Sequence, residues 1–120
     1  MFSLPPSVQI FLASGPTDMR KSFNGLEAAA RQVIRRDPLS GHLFVFCNRR
    51  RNRLKILLFD GTGFWVLAKR LEKGTFMWPS ASEGSQSVDM RADELMLLLA
   101  GIDLRESEHR PWYRRKRRTG

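Results

Sequence analysis

Hydrophobic positions along the chain fall into three patterns. From Val8 to Ala13, and again through Gly41 to Pro79, they come as short runs rich in Val, Ile, Leu and Phe, separated by Gly, Asp, Asn and Arg. Runs of that length and composition predict strands. Between the two regions, Phe23, Leu26, Ala30, Val33 and Ile34 recur at helical spacing and give one apolar face. Near the C-terminal end, Leu95 to Ala100 is apolar all round, which predicts a buried helix. From Arg105 onward the apolar period stops, and a disordered tail is expected.

Breakers and caps set the boundaries. The first strand starts after Pro5-Pro6 and ends at Ser14-Gly15-Pro16. Thr17, Asp18 and Ser22 each suit the start of the first helix; Arg31, Arg35 and Arg36 suit its negative end, and Asp37-Pro38 stops it. In the central region His42 to Asn48, Leu54 to Asp60 and Phe64 to Leu71 read as strands, apolar on both alternating faces in places, as inner strands covered on both sides would be. Asp60-Gly61-Thr62-Gly63 is a tight hairpin turn, because Gly and Asp tolerate the positive φ such turns need. Arg49-Arg50-Arg51-Asn52 is a longer hairpin connection. Glu72 to Pro79 reads as irregular chain or a further short strand, with Phe76 and Trp78 packing on the sheet, and Ser80 to Ser85 as a polar loop. A strand is expected at Gln86 to Val88, then Asp89 as the cap of a second helix that Gly101 ends. The fold class is therefore α+β: a single domain over residues 1–104, an antiparallel β-meander packed with two helices, followed by a basic tail over residues 105–120.

Strand register links residues far apart in sequence. If Asp60 faces Gly63 across the tight turn, Arg53 faces Arg70 and Leu54 faces Lys69, since antiparallel pairs keep a constant sum of indices. The Arg49 to Arg53 loop, Lys69, Arg70 and Lys73 then share one edge of the sheet.

Charge sharpens this edge into a candidate site. The chain has 120 residues, 42% of them hydrophobic, as suits one folded domain, and it carries a net charge of +9 with a pI near 11.0. Positive charge is concentrated in two islands, Arg49 to Lys73 at +6 and Arg110 to Arg118 at +6, on an otherwise mildly acidic body. Such islands point to a polyanionic partner, because Lys and Arg that neutralise phosphates release counterions. The alternative is a solvated loop that blunts aggregation. The single cysteine, Cys47, lies in an apolar run and has no internal disulfide partner, which suits a reducing cytoplasm. The N-terminal segment lacks a positive n-region, and no run is long enough to cross a membrane.

Catalytic readings find little support in the residues. Asp18, Asp60, Asp89, Asp93 and Glu94 are the acids available to a hydrolase or nuclease, yet a turn or a helix start accounts for each. His42 and His109 have no Cys or His partner at metal-ligand spacing. No cofactor site is read from the sequence, and there is no Gly-rich nucleotide loop. The residues expected to contact DNA are Arg49, Arg50, Arg51, Arg53, Lys55, Lys69, Arg70 and Lys73. Arg20 and Lys21, and Arg114, Arg115, Lys116, Arg117 and Arg118 beside Trp112 and Tyr113 in the tail, are candidates for additional contacts. Phosphate contacts of this kind position a protein without reading bases.

The chain resembles the TnpB accessory proteins of IS66-family insertion sequences over roughly Val8 to Leu104. The resemblance rests on Gly15-Pro16-Thr17-Asp18-Met19-Arg20-Lys21, Phe23 with Gly25-Leu26, Ser40-Gly41-His42-Leu43-Phe44-Val45-Phe46, Lys55-Ile56-Leu57, Asp60-Gly61 with Gly63-Phe64, Lys69-Arg70-Leu71, Phe76 with Trp78-Pro79, and Leu97-Leu98-Leu99 with Gly101-Ile102-Asp103. It implies a part in transposition beside a separate, larger transposase that carries the catalytic acids. The RNA-guided nucleases that share the name are much longer and carry an acid constellation absent here. The expected function is thus a non-enzymatic accessory protein of DNA transposition, with DNA and the element's transposase as partners. The alternative is an adaptor that contacts the transposase without binding DNA.

Overall fold

The computed structural model describes residues 7–101. In chain order these form β1 (Ile10–Ala13), α1 (Phe23–Ala29) continued by a π-helical turn (Ala30–Ile34), and a 3-10 turn (Pro38–Ser40). Then come β2 (Leu43–Cys47), β3 (Arg53–Phe59), β4 (Phe64–Arg70), β5 (Ser87–Met90) and α2 (Ala92–Leu99). The expected boundary at residue 104 and the tail after it lie outside the described residues.

The strands make one five-stranded sheet in the order β4-β3-β2-β1-β5. β2, β3 and β4 form the antiparallel meander, in the register that the tight turn dictates: Arg53 opposes Arg70 and Leu54 opposes Lys69. β5 is antiparallel to β1, with Ile10 opposite Met90. β1 and β2, however, run parallel, with Ile10 opposite Leu43 and Leu12 opposite Val45. A parallel pair needs a crossover, and α1 supplies it.

Each face of the sheet carries a layer. Alternation along the strands sends Phe11, Ala13, Phe44, Phe46 and Leu57 to one face, where Leu26, Ala29, Ala30 and Ile34 of the first helix cover them. Ile10, Leu12, Leu43, Val45, Cys47, Leu54 and Ile56 take the other face, under Leu95 and Leu98 of α2 and the buried ring of Phe76. All of β1 and β2 is buried, which explains why these strands read as unbroken apolar runs. Each fully buried Phe or Leu side chain contributes roughly 1.5–3 kcal/mol.

Three local readings are corrected. Phe23 and Val33, both expected on the apolar helix face, are 48% and 37% exposed: Phe23 is the first residue of α1, and the π-helical turn widens the spiral at Val33 and keeps Ile34 on the core. Asp89 does not cap the second helix; it pairs with Phe11 in β5, and Arg91 occupies the cap with Glu94 accepting its amide at 3.0 Å. The pull toward strand is the free edge of β1, whose backbone groups would otherwise be buried without partners. α2 is half-buried rather than enclosed: Leu95 and Leu98 face the core while Met96 is 54% exposed.

Between β4 and β5 the chain crosses the end of the sheet without regular structure. The Leu71 amide donates to Asn52 O at 2.8 Å, and the Trp78 indole donates to Ala13 O at 2.8 Å. This strap fixes the loop between β2 and β3 from one side.

Candidate nucleic-acid interface

Asn48 builds the basic loop. Its Oδ1 accepts the amides of Asn52 and Arg53, both at 3.1 Å, its Nδ2 donates to Asn52 Oδ1 at 2.8 Å, and its carbonyl accepts the Arg51 amide at 3.2 Å. Arg51 takes a left-handed φ of 60°, uncommon for a residue with a Cβ. That reversal parts the arginines, leaving Arg49 and Arg50 at the exposed tip while the Arg51 side chain turns back into the protein.

The eight cations expected at this edge do not all reach solvent. Arg51 Nη2 donates to Ser14 O at 3.1 Å, and the guanidinium lies 5.3 Å from the centre of the Trp78 ring. Lys55 Nζ donates to Lys21 O at 2.8 Å, and Lys69 Nζ reaches the opposite face to donate to Leu99 O at 2.7 Å, at the negative end of α2. Arg70 pairs with Glu72 at 3.2 Å. Arg49, Arg50, Arg53, Arg70 and Lys73 are therefore the exposed cations of the edge that no backbone carbonyl engages, while Lys69 is exposed but its ammonium is engaged in this way. Arg53 and Arg70 stand directly opposite on neighbouring strands, a like-charge pair whose repulsion the Glu72 carboxylate offsets from the Arg70 side only.

Residues 15–21 frame the same loop. The Thr17 amide donates to Cys47 O at 2.7 Å, and a shallow depression of about 420 Å³ lies between Pro16 to Met19 and Asn48 to Arg50. Asp18 sits in its wall, where a hydrogen bond from the Arg20 guanidinium holds its carboxyl down at about 2. The carboxylate is thus matched by Arg20 in the same segment. Lys21 is exposed behind the loop, tied to it through Lys55. Arg114 to Arg118 lie outside the described residues.

Two further candidate acids, Asp60 and Asp93, are held by local hydrogen bonds. Asp60 Oδ1 accepts from the Thr62 and Gly63 amides at 2.8 and 3.0 Å, and Oδ2 accepts from the Trp65 indole at 2.8 Å; these bonds hold its carboxyl well below the usual range. Asp93 is lowered by its hydrogen bond from Arg91. Among the described residues no group of three His, Cys, Asp or Glu side chains is placed to hold a metal ion. His42 Nδ1 accepts the Gln9 amide at 2.9 Å, and Cys47 is a buried free thiol whose pKa burial pushes up. No helix among the described residues is long and apolar enough to cross a membrane.

The sequence reading missed a second basic concavity. Arg31, Arg35 and Arg36, which in the sequence suit only a helix end, line a depression of about 620 Å³ with Gln32 and Asp37. Their spacing was visible in the sequence. The π-helical turn, which brings them to one rim, was not.

Comparison with known proteins gives concordant matches. The model of the family described as IS66 Orf2 like protein matches residues 8–109. Uncharacterized protein y4hO of Sinorhizobium fredii is 39% identical over 102 residues, covering 85% of this chain and 87% of that protein. Uncharacterized protein y4jC of the same organism is 35% identical over 104 residues, 87% of each. No solved structure matches the chain at a significant level.

Proposed function

This chain belongs to the family of IS66 Orf2-like proteins, and on that premise we propose that, as an insertion-sequence accessory protein, it is non-catalytic and holds DNA phosphates on the Arg49 to Arg53 loop beside the element's transposase. The observation that carries the reading is the opposed pair Arg53 and Arg70, continuous with the exposed tip Arg49 and Arg50. Like charges held this close are offset when phosphate oxygens sit between them, and displaced counterions add to affinity. Nothing in the loop presents a helix or ribbon suited to base edges, so the contact positions the protein on DNA without reading sequence.

The test is a salt titration on duplex DNA. The five exposed cations not engaged by a backbone carbonyl, Arg49, Arg50, Arg53, Arg70 and Lys73, give a slope of about −4.5 in log affinity against log salt, whereas all eight would give about −7. Changing Arg49, Arg50 and Arg53 together to Ala flattens the slope by about 2.7. Absence of binding at low salt, or binding unchanged in the triple variant, sinks the reading.

A second reading, an adaptor for the transposase without DNA contact, draws on the commitment of Arg51, Lys55 and Lys69 to backbone carbonyls. It predicts that the transposase co-purifies with this chain after nuclease treatment and in the triple variant alike.

A further inference from the structure

β4 is an edge strand. Its inner side pairs with β3 from Phe59 opposite Phe64 to Arg53 opposite Arg70, without a bulge. The Leu71 amide donates to Asn52, and Gly63 O accepts from Asp60. By alternation Trp65, Leu67 and Lys69 direct their backbone groups to β3, while Phe64, Val66, Ala68 and Arg70 direct theirs away from the sheet. Devices that usually blunt such an edge, a proline, a bulge or a short strand, are missing from these seven residues.

The side chains of the strand are as telling as its backbone. Trp65 is 56% exposed and Leu67 36% exposed on one face. The Trp65 ring is already fixed by its hydrogen bond to Asp60, so a partner that covers it loses little side-chain entropy. Phe64 and Val66 occupy the other face, packed against the α1 layer. All the strand's charge, Lys69 and Arg70, sits at one end.

We propose that this edge pairs with β4 of a second copy of the chain, antiparallel about a two-fold axis through Leu67. Centred there, Leu67 opposes Leu67 of the second copy, Val66 opposes Ala68, Trp65 opposes Lys69 and Phe64 opposes Arg70. Two requirements met together favour this register over a shifted one. The residues that exchange hydrogen bonds, Phe64 with Arg70 and Val66 with Ala68, are the ones whose backbone groups point outward. Each cation also meets an aromatic ring rather than another cation, so the strand's asymmetric charge becomes self-complementary. A two-fold contact needs a surface that complements itself in this way. The paired sheets place the two basic loops at opposite ends of the shared ribbon, roughly 20 Å apart at the rise of a strand. Pairing is independent of whether those loops bind DNA.

The test is the mass of the full chain by sedimentation equilibrium, up to roughly 0.5 mM because a one-strand contact belongs to the small, weak class. The wild type is expected to dimerise with concentration. Ala68→Pro removes an amide that bonds nothing in the monomer, and Leu67→Lys sets cation against cation at the axis; each should weaken the dimer at least tenfold. Should the proline variant unfold, as judged by circular dichroism, the lysine variant decides. Register is read by cross-linking, with buried Cys47 left in place. Leu67→Cys should form an intermolecular disulfide, Trp65→Cys alone should not, and a mixture of Trp65→Cys with Lys69→Cys should, since only those pairs are opposed at disulfide distance. A wild type that stays monomeric throughout, as it would if the edge served a different protein, overturns the proposal. So does a dimer indifferent to both substitutions, or a disulfide from Trp65→Cys alone.

Discussion

At one end of β3 the Oδ1 of Asn48 accepts the amides of Asn52 and Arg53; at the other, the Oδ1 of Asp60 accepts those of Thr62 and Gly63. Both turns are thus closed by a side-chain oxygen that receives backbone amides just downstream. They differ in charge. The amide of Asn48 adds no negative charge to a loop of arginines, and its Nδ2 makes a bond to Asn52 that a carboxylate could not. Asp60 is ionised, yet its turn holds no cation, and its second oxygen is used to orient Trp65. The strand between them is about 20 Å long, beyond the screening length of about 8 Å at physiological salt, so the two ends act independently. One backbone solution thereby serves two surfaces, a cationic one and an aromatic one.

Substitutions can break or sharpen this contrast. The largest effect is expected at Asn48→Ala, which leaves the Asn52 and Arg53 amides without their acceptor and should cost about 2 kcal/mol in urea unfolding. Asp60→Ala, in a turn open to water, should cost clearly less, and equal losses would show that the turns are energetically alike. Asn48→Asp keeps the acceptor but places a negative charge under the arginines. DNA affinity should fall about fivefold at low salt, an effect on the order of 1 kcal/mol, with the gap closing as salt rises. A gap that persists at high salt would mean that shape rather than charge was altered.

Smaller changes separate committed cations from free ones. Arg53→Met should flatten the salt slope by about 0.9, while Lys55→Met and Lys69→Met leave it unchanged because their ammonium groups already serve backbone carbonyls. Equal slopes for all of them would erase the distinction between the two sets. The smallest effect concerns pH. Asp60 is held below its unfolded value near 3.9. Its stabilising contribution is therefore complete above that value and fades as pH falls toward the folded pKa. Asp60→Asn does not titrate, so its thermal midpoint should fall less steeply than that of the wild type from about pH 4 to pH 2.

How much of this was legible in the sequence varies with the physics of each feature. The meander register was readable because Asp60-Gly61-Thr62-Gly63 fixes a two-residue turn, and every later pair follows from it. The parallel pairing of β1 with β2 was not, since an apolar run such as Ile10 to Ala13 fits beside several neighbours and only the α1 crossover selects one. Charge position along the strands was legible, but charge direction was not. Lys69 and Arg70 are adjacent in sequence yet point to opposite faces, and one of them is taken up by the end of α2. Arg51 escaped for another reason: its left-handed backbone depends on bonds from Asn48 and the strap, which no local pattern announces.

The position of β1 between β2 and β5 sets an order of assembly. It is the first strand among the described residues, yet both of its neighbours follow it, Leu43 to Cys47 after the whole of α1 and Ser87 to Met90 near the end of the described chain. The meander closes through short loops and can form early, whereas β1 must wait for distant segments and bear a larger loop-closure cost. Its amides should accordingly gain protection after those of β3 in pulse-labelled hydrogen exchange during refolding, and simultaneous protection would contradict that order. The earliest of the described strands thus completes the sheet late, as a keystone set between flanks built after it.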